Sequence, residues 1–286
     1  MVNNIISALR LKHWVKNLFV FIPILVSGSF FDLNLLYNAV LAFLSFCLAS
    51  SVVYFFNDLI DIEKDKNHPK KKYRPIASGK ISISVAIFFI FVMLLGIILL
   101  QSISINNIYI LIISYLFLNF NYSLWLKKIS IIDVMCISTG FVLRVQAGVL
   151  STGLDTSEWL ISMTFTLAML LALGKRKVEL KYINSDITRD SLKEYSIQSI
   201  HSMQAIFISC TMIFYLLYVN MNTTFSGNLE FLHASSIFVI AGLLRYVQIS
   251  FSENIDEQPT DILYKDKFIM ISVFLWSIMI FLSFIF

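Results

Sequence analysis

Asp58, Asp61 and Asp65 stand at i, i+3 and i+7. On a helix that turns about 100° per residue, they share an arc of about 60° on one face, with Asn57 beside them and Glu63 on the far side. His68 and Pro69 stop that helix, and Lys70, Lys71, Lys72 and Arg74 follow before Pro75. Co-facial carboxylates are hard oxygen ligands, and with cations alongside they suit Mg2+ bridging to a diphosphate. The chemistry this points to is displacement of pyrophosphate, with Asp58, Asp61 and Asp65 as metal ligands and Asn57 as their neighbour in the site. Membrane topology by itself accounts for a basic run such as 70–72. It gives no reason for three carboxylates to keep a helical register.

The elements that must position these residues are membrane spans. Uncharged runs at 37–56 and 81–100 flank the polar stretch. Of 286 residues, 58% are hydrophobic and 14% charged, too little polar surface for a soluble domain. The expected fold class is all-α: one polytopic membrane domain, 1–286, with helices bundled around a cytoplasm-facing cavity. A span needs about 20 apolar residues. Nine are expected, near 15–31, 37–56, 81–100, 107–126, 129–150, 156–174, 203–221, 231–250 and 268–286. The first resembles a signal peptide but lacks a small-residue cleavage site, so it reads as an uncleaved span. Cys47, Cys136 and Cys210 lie far apart in apolar runs, which argues against disulfides. The four histidines show no metal-ligand spacing, and nothing points to a nucleic-acid partner.

Twenty of the 22 Lys and Arg residues fall in the N-terminal segment, up to Lys16 at the start of the first span, or in the 2–3, 4–5, 6–7 and 8–9 connections. The opposite connections hold none. The positive-inside rule then places the N-terminus and the chemistry in the cytoplasm, with Phe286 outside, in the inner membrane. The two exceptions are Arg144 and Arg245. Arg144 sits inside the fifth span, where an arginine faces the bundle interior and is a functional candidate, a structural ion pair being the alternative. Arg245 lies nearer a cytoplasmic end, where snorkelling accounts for it. In the 6–7 loop, Lys175 and Glu179 are i, i+4, and residues 186–200 read as a short amphipathic surface helix carrying Arg189, Lys193 and Glu194.

These pieces form a larger pattern. It comprises RLKHWVKNLFVFIP at 10–23, NDLIDIEKDKNHPKKKYRPIASG at 57–79 and YSLWLK at 122–127. IDV at 132–134, GFVLRVQAG at 140–148 and ALGKRKVEL at 172–180 complete it. With nine spans, the chain resembles the UbiA superfamily of intramembrane prenyltransferases. It is most similar to the branch that works on polyprenyl phosphates. Members that use a prenyl diphosphate donor usually carry a second aspartate-rich motif in the 6–7 loop. Here that position holds Glu179 among Lys175, Arg176 and Lys177, a cation-rich site suited to a donor with an additional phosphate.

The resemblance implies a Mg2+-dependent enzyme that transfers 5-phosphoribosyl from phosphoribosyl diphosphate to polyprenyl phosphate, feeding cell-envelope polysaccharide synthesis. It assigns Lys16, Asn17, Lys70, Arg74, Tyr122, Lys127, Lys175, Arg176 and Glu179 to substrate binding, and Arg144 to the lipid phosphate. The alternative is a conventional prenyltransferase acting on an aromatic or lipid acceptor. A CDP-alcohol phosphotransferase would require Gly after Asp61, where Ile62 stands. A transporter would more naturally hold its ionisable groups at the bilayer midplane. Nothing in the sequence sets an oligomeric state.

Overall fold

Helix boundaries follow local capping chemistry. In the computed structural model, residues 2–69, 71–181, 190–221, 227–251, 262 and 265–286 are described. Every regular element among them is helical. Two short pieces, α1 (Val2–Leu9) and α2 (Ile22–Ser27), bracket an 11-residue 3-10 helix, Leu11–Phe21. The long helices are α3 (Leu33–Ile60), α5 (Ile83–Ser102), α6 (Tyr109–Leu124), α7 (Ile132–Thr152), α8 (Glu158–Lys181), α9 (Ile197–Met221), α10 (Leu229–Ser250) and α11 (Lys267–Ile285), with a short α4 (Ile62–Lys66) after α3. Asp32, Ser82, Asn228 and Asp266 cap α3, α5, α10 and α11, each side chain accepting from a backbone N–H of the first turn.

Seven of these helices are long and apolar enough to cross a membrane, and α6 is a shorter apolar helix. The fold is therefore an all-α, polytopic membrane fold. The first expected span differs in kind. Residues 15–31 are built from the 3-10 helix and the six-residue α2, with Pro23 in the first turn of α2, where its missing N–H costs nothing. The polar interruption at 101–107 is the turn from α5 to α6. There Gln101 donates to Ser45 Oγ (2.8 Å) and accepts from the Ile108 N–H (2.9 Å), so a buried amide is satisfied at both ends.

The chain divides into two compact units. The first comprises Met1–Ile24, Phe30–Lys127 and Leu143–Leu154. Here α3 packs against α5, α6, α1 and the 3-10 helix around Phe46, Ala49, Val53, Ile112, Tyr115 and Ala147. Gly148 lets α7 approach closely. A Cβ there would collide with the Val20 carbonyl, so only glycine permits this backbone contact. The second unit comprises Leu25–Ser29, Lys128–Val142 and Asp155–Phe286. In it α8 packs on α9 and α10 on α11 and α9, with Val134, Met169, Leu173, Leu192, Tyr195 and Ile200 forming one core.

Candidate functional site

At 28 residues, α3 is about 42 Å long by its rise per residue, well beyond a hydrocarbon core of about 30 Å. Its final turns, carrying Asn57 and Asp58, therefore extend past the apolar zone. The helix breaks at Asp61, whose N–H still bonds to the Asn57 carbonyl, and resumes at once as α4. Thus the aspartate register survives a near-continuous helix. After Pro69 the chain folds back through a 3-10 turn, Lys71–Tyr73, and this return brings Arg74 against α4.

The result is a tight set of opposed charges. One nitrogen of Arg74, Nη1, donates to Asp58 Oδ1 (3.1 Å) and to Asp65 Oδ2 (2.7 Å). Arg10 Nη2 donates to the same Asp58 oxygen at 2.5 Å, with its guanidinium 4.7 Å from the centre of the Tyr54 ring. Asp61 turns to Lys127 (2.7 Å), which also donates to Asn57 Oδ1 (3.4 Å). Asp58 and Asp65 are each only 3% exposed, a depth at which a carboxylate requires a paired charge. Glu63 is exposed and bonds to Lys66, as its place on the far side requires.

Asp58 and Asp65 meet a single cationic nitrogen, so their oxygens fit a divalent cation, with Arg74 standing in the shared position. Among the described residues no three His, Cys, Asp or Glu side chains form a complete metal cage. Mg2+ rarely uses such a cage, preferring one or two carboxylates completed by water and substrate phosphate. The three aspartates therefore do not converge on one point: Asp58 and Asp65 pair, while Asp61 belongs with Lys127.

A second cationic group lies deeper in the same unit. Arg144 is 6% exposed; its Nε donates to Asn17 Oδ1 (2.7 Å), its Nη2 to Tyr115 OH (3.0 Å), and its guanidinium lies 4.9 Å from the Tyr115 ring centre. The Asn17 amide in turn donates to Cys47 Sγ and Ser50 Oγ. Half-buried Lys16 is close enough for its charge to interact with Arg144. Tyr122 lies half-buried in the last turn of α6.

The second unit treats its candidates differently. Arg176, expected at a substrate phosphate, is fully buried between Asp133 (Nε to Oδ2, 2.5 Å) and Glu179 (Nη1 to Oε2, 2.6 Å). Tyr195 OH donates to Asp133 Oδ1 (2.9 Å) and accepts from the Ile131 N–H (2.7 Å). Burial lifts the Tyr195 phenol well above its ordinary pKa, so it stays a neutral donor. Ile131 is held at φ +64, a strained conformation for a β-branched residue, and Ser130 bonds to Glu194. Arg176 and Glu179 thus take part in an internal ion-pair network with Asp133. Lys175 is half-buried beside them.

The expected surface helix over 186–200 is instead a 3-10 turn at Asp190–Glu194 followed by α9, with 186–189 outside the described residues. Lys70 also lies outside them. Arg245 does more than snorkel, because it bonds to Asp266 at 2.9 Å. The residues not anticipated were Arg10 and Tyr195. Arg10 stood in the sequence as the first residue of the 10–23 stretch and one of many basic residues near a span, with no role attached to it, and Tyr195 gave no signal in the sequence.

Known proteins place this architecture. A relative named decaprenyl-phosphate phosphoribosyltransferase in Mycolicibacterium smegmatis is 26% identical over 294 residues, covering 96% of this chain and 91% of that one. One of the same name in Corynebacterium glutamicum is 30% identical over 184 residues, 63% of this chain, and the match spans only 55% of that relative's length. A UbiA homolog from Archaeoglobus fulgidus, solved bound to GPP and Mg2+, has the same fold. Its TM-score is 0.75 at 18% identity, over 97% of this chain and 99% of that one. The family model for UbiA prenyltransferases matches residues 18–282, so the chain belongs to the UbiA prenyltransferase family.

Proposed function

We propose that this protein transfers 5-phosphoribosyl from phosphoribosyl diphosphate to a polyprenyl phosphate and releases pyrophosphate, at the cytoplasmic face of the inner membrane. The observation that carries the reading is the joint hold of Arg74 on Asp58 and Asp65, flanked by Arg10 and the Asp61–Lys127 pair. Carboxylates for a metal and cations for phosphate oxygens stand within one set. The names of the mycobacterial and corynebacterial relatives support the donor and the acceptor.

Asp58 and Asp65, with Asp61 beside them, would hold Mg2+, which when bound offsets the charge of the departing pyrophosphate. Lys127 and Arg74 bind its remaining oxygens, acting most strongly where water is excluded. The C1–oxygen bond to pyrophosphate breaks as an oxygen of the lipid phosphate bonds to C1 from the opposite face. That phosphate is already anionic at neutral pH, so no strong general base is required. Arg144, Asn17 and Lys16 are assigned to the lipid phosphate, and Tyr122 to the donor's sugar phosphate. The product would feed cell-envelope polysaccharide synthesis.

The test is direct. Protein purified into nanodiscs is incubated with Mg2+, radiolabelled phosphoribosyl diphosphate and polyprenyl phosphate, and the organic phase is assayed for labelled lipid. Label in the lipid is expected, with one pyrophosphate released per transfer. Turnover of a prenyl diphosphate in place of phosphoribosyl diphosphate would overturn the donor assignment in favour of conventional prenyl transfer.

A further inference from the structure

Lys16 brings a second positive charge to Arg144, and both belong to the first compact unit. Asn17, the next residue of the 3-10 helix, accepts from Arg144 Nε at 2.7 Å, and Lys16 lies close enough for the two charges to act on each other. The Lys16 ammonium is half-buried, and among the described residues it makes no ion pair and no hydrogen bond. The side chains joined around it are uncharged: Asn17, Tyr115 and Ser50. Like charges held where little water screens them repel strongly, and an anion entering between them relieves that repulsion. A half-buried ammonium is costly until such an anion reaches it.

The proposed transfer changes the charge of the one phosphate that meets this pair. The acceptor is a phosphate monoester, carrying about −1.5 to −2 near neutral pH. Its oxygen bonds to C1 as the C1–oxygen bond to pyrophosphate breaks. The acceptor phosphate is then a diester with a single negative charge, and the charge it loses leaves with the pyrophosphate.

We propose that Lys16 makes the acceptor subsite selective for charge: with Arg144 it holds a dianionic monoester, and it loses its grip on the monoanionic diester that transfer creates. Lys16 is thereby a specificity-determining residue that favours departure of the product lipid. The proposal rests on the assignment of Arg144 and Lys16 to the lipid phosphate and adds which property of that phosphate they read.

The experiment measures binding with no donor added. Full-length protein in phosphatidylcholine nanodiscs retains radiolabelled farnesyl phosphate, and unlabelled farnesyl phosphate, its monomethyl ester and inorganic phosphate compete for the site. Retention is corrected with the same discs lacking protein, and comparing proteins cancels the lipids' own partition. The native chain should bind farnesyl phosphate at least about tenfold tighter than the methyl ester. Lys16→Gln should weaken the monoester by about tenfold and leave the methyl ester within about twofold, so the preference all but disappears. Lys16→Arg should keep it, and Lys12→Gln, at an exposed lysine, should match the native chain. The proposal is overturned if the native protein shows no preference, a result that needs no variant. It is equally overturned if a Lys16→Gln protein that melts like the native chain keeps the preference, or if Lys12→Gln removes it as fully. Inorganic phosphate competing as well as farnesyl phosphate would make this a site for a free anion and also overturn it. Failure of phosphoribosyl transfer with the preference intact would remove the proposed reaction and leave the charge selectivity standing.

Discussion

Arg176 and Asp133, 43 residues apart in sequence, meet at 2.5 Å with neither side chain exposed to solvent. Removing one member of a buried pair leaves the other charged and alone, at a cost of about 3–5 kcal/mol. Arg176→Ala and Asp133→Ala are therefore expected to lower the melting temperature sharply. Tyr195→Phe, which removes one donor to Asp133, should cost about 1–3 kcal/mol. Thermal unfolding in a fixed detergent reads this out. An Arg176→Ala protein that melts like the native chain but binds donor poorly would return Arg176 to the substrate.

The aspartates divide the functional from the incidental. Asp58→Asn, Asp61→Asn and Asp65→Asn are each expected to cut transfer by about a hundredfold or more. Glu63→Gln, exposed and bonded only along its own turn to Lys66, should stay close to native activity. Initial rates at saturating substrates decide it, and an equal loss at Glu63 and Asp61 would sink the argument from one helical face.

The proposed assignment of Arg144 to the acceptor has its own test. Arg144→Gln should raise the KM for polyprenyl phosphate by about tenfold to a hundredfold, the loss of one charge-assisted hydrogen bond. The KM for phosphoribosyl diphosphate should change much less. Arg144→Lys should recover little, because Nε and Nη2 serve Asn17 and Tyr115 in directions an ammonium cannot reproduce. A parallel rise in both KM values would show that the variant disturbs the whole site.

Orientation is checked by accessibility. A cysteine-reactive tag near residue 224 or after Phe286 should label from outside intact cells, and tags within 66–72 or 184–194 only after permeabilisation. A tag after Phe286 protected in intact cells would change the parity of the spans, and with it the side on which the aspartates lie.

The sequence made some of this legible and hid the rest for physical reasons. The face shared by Asp58 and Asp65 could be read because helical periodicity is local and repeats in every turn. That Asp61 would face Lys127 could not be read, since the partner lies 66 residues away. Arg176 illustrates the same limit. Its proximity to Glu179, three residues on, follows from helix geometry, but the Asp133 and Tyr195 that bury it come from distant elements. Arg10 was obscured because topology alone explains a basic residue beside a span. The helix type of the first expected span was not legible, because hydrophobicity sets length and burial but does not separate an α-helix from a 3-10 helix.

The close approach at Gly148 has a consequence for biogenesis. The 3-10 helix Leu11–Phe21 leaves the ribosome well before α7, yet it is fastened by the Val20 contact to Gly148 and by the bond from Arg144 to Asn17, 127 residues apart. A 3-10 helix has weak internal bonds and cannot hold its shape alone. The N-terminal segment must therefore wait in the membrane, loosely seated, until α7 has been synthesised and inserted. The part of the site made earliest is among the last to acquire its final shape.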